Sequence, residues 1–204
     1  MKLLGSPGSP YARKARIAML EKNMNCEFIA DRPSNPGSQV PKHNPLGKVP
    51  VLVRDDDRAL YDSVVIVEYF DHLGTGPKLV PEKFEDRIEV KRLEALGDGI
   101  TDCIVALTHD SRFTNTCDQN ADWYQKQLKK IERGLAVLQD DIGAREFCFG
   151  NAFTLGDISA GCALGYLDRA YAGFDWRDKY PALKRYSDKL FARASFAGTM
   201  PPKG

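Results

Sequence analysis

An α/β domain followed by an all-helical bundle is the architecture predicted for this 204-residue chain, on three observations. Two short apolar strands flank a helical run near the amino end, a connection that makes the strands parallel. A second pair of apolar segments flanks the acidic turn Asp55-Asp56-Asp57 and leads into a helix closed by Gly74. Beyond Gly74 strand signals disappear, and apolar residues recur at intervals of three and four.

In order, Leu3-Leu4 reads as the first strand and Pro10 to Glu21 as a helix ending near Asn23. Cys26-Glu27-Phe28-Ile29 reads as the second strand, completing a βαβ unit. Pro33, Pro36, Pro41 and Pro45 make residues 31–48 a loop with at most one helical turn, because each proline lacks an amide donor. Val49 to Val53 and Arg58 to Tyr61 form a hairpin, and Val64 to Leu73 the next helix. Gly74-Thr75-Gly76-Pro77 and Pro81 mark a linker. Leu93, Leu96, Ile100, Cys103 and Leu107 then define one long amphipathic helix, and Leu128, Ile131, Leu135, Leu138 and Ile142 a second. Leu183, Tyr186 and Leu190 repeat the pattern in a shorter one. Thr154-Leu155-Gly156-Asp157 matches a capping box, with Phe153 and Ile158 as its hydrophobic staple. The domains expected are therefore 1–76, a linker at 77–85, and a helical part at 86–204.

Charge narrows the function. Lys plus Arg number 29 and Asp plus Glu 28, a formal net charge of +1, so no basic field draws nucleic acid or anionic lipid. The amino terminus has no apolar run behind a basic head, and no stretch has the length of a membrane span; a soluble, cytoplasmic protein is expected. Cys26, Cys103, Cys117, Cys148 and Cys162 lack paired metal spacing, and their odd number suits a reduced compartment. They read mostly as small buried apolar residues. His43, His72 and His109 are isolated, so no metal site is expected.

Ser9-Pro10-Tyr11-Ala12 stands where a thiol redox motif would begin a helix, with Ser9 and Ala12 at the two cysteine places. The amides and dipole of a helix start stabilise a thiolate. A dithiol cycle is excluded here, yet Ser9 offers an O–H donor to a thiolate brought by another molecule. Ser9 also reads as an N-cap with Pro10 at the first helical position, and the two roles are compatible.

With Ser9-Pro10-Tyr11-Ala12-Arg13-Lys14, the stretch Asn44-Pro45-Leu46-Gly47-Lys48-Val49-Pro50-Val51-Leu52, then Tyr61-Asp62-Ser63, and finally Phe153-Thr154-Leu155-Gly156-Asp157-Ile158, the chain resembles the bacterial cytosolic glutathione S-transferases over essentially its whole length. The resemblance implies a thioredoxin-like, glutathione-binding amino-terminal domain, and an all-helical domain forming much of the second-substrate site. It implies a cis Val49-Pro50 bond, with the Val49 backbone pairing the cysteinyl part of glutathione. It assigns the γ-glutamyl end to Asp62 and Ser63, the carboxylate meeting the Ser63 hydroxyl and local amides. Lys48 is either a ligand of the glycyl carboxylate or a solvated lysine. Ser9 becomes the catalytic donor to the glutathione thiolate. A cysteine thiol titrates near ~8.5; a charge-assisted hydrogen bond of roughly 1.5–3 kcal/mol and a helix terminus of ~0.3–1 lower that by about one to three units.

The resemblance further implies a homodimer, with Asp98 or Asp102 either reaching the partner's site or lying solvated. It implies detoxification chemistry on a small, hydrophobic electrophile. The second-substrate site is expected between the domains near Tyr11, His109, Arg112 and Phe113. Tyr11 could instead serve as a phenol donor, but it follows Pro10 inside the motif, where packing or cleft lining suits it better. The alternatives are a glutathione-dependent isomerase or dehalogenase, or a non-catalytic binding module on the same fold.

Overall fold

A computed structural model describes residues 1–113, 121–171 and 173–202, leaving aside the side chains of 109–113. Cys117 lies outside the described residues. The chain divides into two compact units, Met1–Leu79 with Arg193–Gly204, and Val80–Ala192. The sequence reading runs the helical part through 204; the closing segment joins the first unit because its partners Arg13, Arg16 and Glu21 lie on that unit's first helix.

The first unit contains β1 (Lys2–Gly5), α1 (Pro10–Glu21), β2 (Glu27–Ala30), α2 (Val40–His43), β3 (Val51–Val53), β4 (Ala59–Leu60) and α3 (Ser63–Leu73). The strands form one sheet in the order β2-β1-β3-β4. β1 is parallel to β2 across the α1 crossover and antiparallel to β3, and β4 closes the hairpin. The ladder starts at Val51, two residues later than the apolar run, since Pro50 has no N–H to contribute. Leu4, Val40 and Val51 form a core cluster against which Ile29, Val49, Val53 and Ala59 pack. Gly5 ends β1 at a crowded point: a Cβ there would meet the Ala12 Cβ at 2.8 Å, so only glycine lets α1 lie this close to the strand.

The second unit holds α4 (Phe84–Phe113), α5 (Asp122–Ile142), α6 (Leu155–Ala170), α7 (Trp176–Lys179) and α8 (Pro181–Ala192), while α9 (Ala194–Ala197) belongs to the first. The apolar steps are the buried faces: Leu93, Ile100 and Leu107 on α4, Ile131, Leu135, Leu138 and Ile142 on α5, and Leu183, Tyr186 and Leu190 on α8. Burial of each such side chain contributes about 1.5–3 kcal/mol before entropy is charged against it. α4 and α6 cross closely at Gly97, where a Cβ would come within 2.7 Å of the Ser159 carbonyl carbon. Among the described residues no helix is long and apolar enough to cross a membrane.

The start of α6 is anchored by Asp157, which is fully buried. Its Oδ2 accepts from the Thr154 amide at 2.8 Å and the Thr154 hydroxyl at 2.9 Å. Its Oδ1 accepts from the Cys148 amide and the Tyr186 hydroxyl, both at 2.7 Å. Since Tyr186 donates to the carboxylate, the Cys148 thiol 2.9 Å away donates to Tyr186 in turn. Helix α6, the loop before it and α8 are thus tied to one carboxylate.

Candidate functional site

Strand register sets which predicted residues meet. Leu4 of β1 pairs with Val51 of β3, and Leu52 of β3 pairs with Leu60 of β4. The carboxyl end of β1, the amino end of β3 and the carboxyl end of β4 therefore share one end of the sheet. From that end emerge Ser9 after β1, Val49-Pro50 before β3, and Asp62-Ser63 after β4. Three segments distant in sequence converge because alternating strand direction brings them there.

Ser9 is the N-cap of α1, with φ −78° and ψ 127°, and Pro10 takes the first helical position. Its Oγ accepts from the Ala12 amide at 3.2 Å. A hydroxyl that accepts through a lone pair still has its proton to donate, so capping orients Ser9 and leaves its donor capacity intact. The Ser9 amide donates to Ser6 at 2.9 Å, closing the turn that carries the chain from strand to helix.

Val49-Pro50 is cis. The loop before it is built by Asn44, which is 2% exposed: its Nδ2 donates to the Lys48 carbonyl at 2.8 Å, and its Oδ1 accepts from the Leu46 amide at 3.0 Å. One buried amide side chain therefore stands in for the missing ladder and fixes the shape of residues 44–48. The sequence reading quotes Asn44 in the motif but gives it no role. The signal was available: an asparagine before proline that bonds the backbone two residues on is a turn former. Lys48 itself is exposed.

Asp62 caps α3, its carboxylate accepting from the Val64 amide at 3.0 Å, while Ser63 beneath it is buried. The Tyr61-Asp62 bond is also cis. An exposed carboxylate beside a helix start pairs a negative group for a ligand ammonium with amides suited to a ligand carboxylate. Tyr11 is half-buried on the first turn of α1. His109, Arg112 and Phe113 belong to the last residues of α4, and their side chains lie outside those described.

Three of the described thiols, Cys26, Cys103 and Cys148, are poorly suited to nucleophilic work. Burial pushes Cys26 up to about 11 and raises Cys103, and burial, with the Asp157 charge beside it, lifts Cys148 well above the usual thiol range. These three stay protonated at neutral pH, when a thiolate is the reactive form.

Comparison with known proteins places these features in context. Residues 3–78 match the family model described as "Glutathione S-transferase, N-terminal domain", and residues 121–189 the corresponding C-terminal domain. The chain is 37% identical, over the full length of both chains, to the uncharacterized GST-like protein YibF of Escherichia coli K12. Among solved structures it is 43% identical to a glutathione S-transferase of Methylobacillus flagellatus with GSH bound, with a TM-score of 0.94 over 98% of this chain and 99% of that one. A glutathione S-transferase of Methylobacterium radiotolerans, in complex with glutathione sulfonate, is 38% identical, with a TM-score of 0.91 over 98% of this chain and 94% of that one.

Proposed function

The chain belongs to the glutathione S-transferase family, and from that premise we propose that it is a glutathione transferase in which Ser9 stabilises the thiolate of the bound tripeptide. The observation that carries this reading is the Ser9 hydroxyl at the start of α1, oriented by its bond from Ala12 and still able to donate. Glutathione bound to similar proteins supports the choice of thiol.

In this reading the γ-glutamyl ammonium meets Asp62, and its carboxylate meets Ser63 and amides at the start of α3. The Val64 amide is already engaged by Asp62, so the Ser63 group does most of this work. The Val49 backbone pairs with the cysteinyl residue beside Pro50, and Lys48 meets the glycyl carboxylate. Ser9 donates its hydroxyl proton to the sulfur without losing it. The thiolate then attacks an electrophilic carbon, forming a C–S bond as the leaving group departs with its electron pair. The second substrate is a small hydrophobic electrophile. The enzyme works in the cytoplasm as a homodimer.

The test is a crystal of the protein soaked with glutathione, paired with conjugation of a generic aryl halide. The reading expects sulfur within hydrogen-bond distance of Ser9 and measurable conjugation. Sulfur far from Ser9 contradicts the catalytic assignment. Binding without turnover of the aryl halide, a chlorinated substrate or a cis-enone acid makes the chain a binding module.

A further inference from the structure

The helix that begins at Ser9 is held along one side by the last stretch of the chain. At its far end Glu21 receives Arg193 through Nε at 2.6 Å and a second guanidinium nitrogen at 2.7 Å, together with the Ser195 hydroxyl. Nearer Ser9, Arg16 donates to the Gly198 carbonyl at 3.5 Å. Nearer still, Arg13 donates to the Phe196 carbonyl at 3.1 Å and the Thr199 hydroxyl at 3.4 Å. The Arg13 guanidinium also lies 5.4 Å from the centre of the Phe196 ring.

These contacts follow a register. The carboxylate on α1 meets the start of α9, while the two arginines meet carbonyls at and beyond its end, so the segments lie antiparallel with complementary groups in order. Arg13 and Phe196 are 3% and 0% exposed, so their contact is shielded from solvent. A guanidinium that stacks on a ring while donating in its plane is fixed in direction as well as distance.

Arg13 is also the first residue to bond back into the helix cap: its amide donates to the Ser9 carbonyl at 2.9 Å. A shift of Arg13 therefore moves Ser9. We propose that the closing segment Arg193–Thr199 is a brace that sets where the Ser9 hydroxyl sits, with Arg13 as the positioning residue that couples the two. This rests on the assignment of Ser9 as thiolate donor. A hydroxyl-to-sulfur bond weakens steeply with misalignment, and displacement of about 1 Å in a reacting array costs as much as ~100-fold in rate. The segment contributes by holding α1 in place.

The test uses the full-length protein with Arg13→Met, Phe196→Leu and Arg193→Gln, measuring the pH dependence of kcat/KM for conjugation alongside glutathione KM and thermal stability. The acid limb should move upward by about half a unit or more for Arg13→Met and Phe196→Leu, and less for Arg193→Gln, with glutathione KM nearly constant. Arg13→Lys should recover only part of the effect, because an ammonium cannot stack and donate as the guanidinium does. A control, Asp168→Asn, loses the carboxylate charge and one of the two acceptor oxygens that receive Trp176 and Arg177 in the helical unit; it should lower stability without moving the limb. Brace variants that lose stability but keep the wild-type limb overturn the proposal. Should Arg13→Met fail to fold, Phe196→Leu and Arg193→Gln decide it alone. An acid limb unmoved by Ser9→Ala removes the Ser9 assignment itself, whereas one moved by Ser9→Ala but by no brace variant removes only the brace.

Discussion

The hydroxyl of Ser9 takes a bond from the amide of its own helix and retains its proton for a ligand, so structural capping and catalysis need not compete for it. Ser9→Ala should accordingly lower conjugation by at least about tenfold, the worth of one ~1.4 kcal/mol interaction made to a charged group, while glutathione affinity in calorimetry changes little. Ser9→Ala also removes an N-cap, at a cost of roughly 1 kcal/mol in urea unfolding, and that loss should be separable from the rate effect. Asp62→Ala should weaken glutathione binding; an unaltered dissociation constant would refute its pairing with the ammonium. Asn44 shapes the loop that leads into β3. Its two backbone bonds replace strand pairing before Val51, and Asn44→Ala leaves the Lys48 carbonyl and Leu46 amide without that partner.

Helices carry the next level of the argument. At α6 the buried Asp157 accepts from Thr154, Cys148 and Tyr186, and Asp157→Ala should cost about 3 kcal/mol or more in urea unfolding, against about 1–2 for Tyr186→Phe, which removes one donor to Asp157 and the acceptor of the weak Cys148 thiol. At α1 the contact with α9 is pH-dependent. Burial alone would raise the Glu21 carboxyl, but the bonds from Arg193 and Ser195 and the Arg193 charge outweigh it and hold Glu21 below its ordinary value. A carboxylate depressed in the folded state stabilises above its unfolded pKa of ~4.3, and loses that contribution as pH falls through the lowered folded value. The protection factors of amides in 193–199, taken against the intrinsic exchange rate at each pH, should therefore be high at neutral pH and fall in that acid range; Glu21→Gln should abolish the dependence. The element order was legible from local signals: prolines in residues 31–48, the acidic turn, Gly74, and apolar steps on α4, α5 and α8. The brace was not. Arg13 and Lys14 stand in the first-helix motif without a role of their own in the sequence reading, yet they are 3% and 1% exposed, and the partners of Arg13 lie 183 and 186 residues away. Neither periodicity nor capping rules carry information across that distance, so a buried arginine looks like a surface one until the chain end is seen beside it.

For the molecule as a whole, family membership and the convergence of Ser9, Val49-Pro50 and Asp62-Ser63 at one sheet end are consequences of sequence landmarks that remain recognisable one at a time. The convergence itself required strand directions, which the βαβ unit and the hairpin together supply. Assembly is a prediction at this scale: sedimentation at micromolar concentration should return a dimer mass, and a monomer mass would contradict it. The most direct test of the central claim is ultraviolet titration of the glutathione thiolate bound to the wild-type protein and to Ser9→Ala, each at saturating tripeptide. The account predicts a bound-thiol pKa about one to three units below the ~8.5 of a free cysteine thiol in the wild type, returning most of the way in the variant. Bound glutathione that titrates like the free tripeptide, or a depressed pKa indifferent to Ser9→Ala, would contradict it.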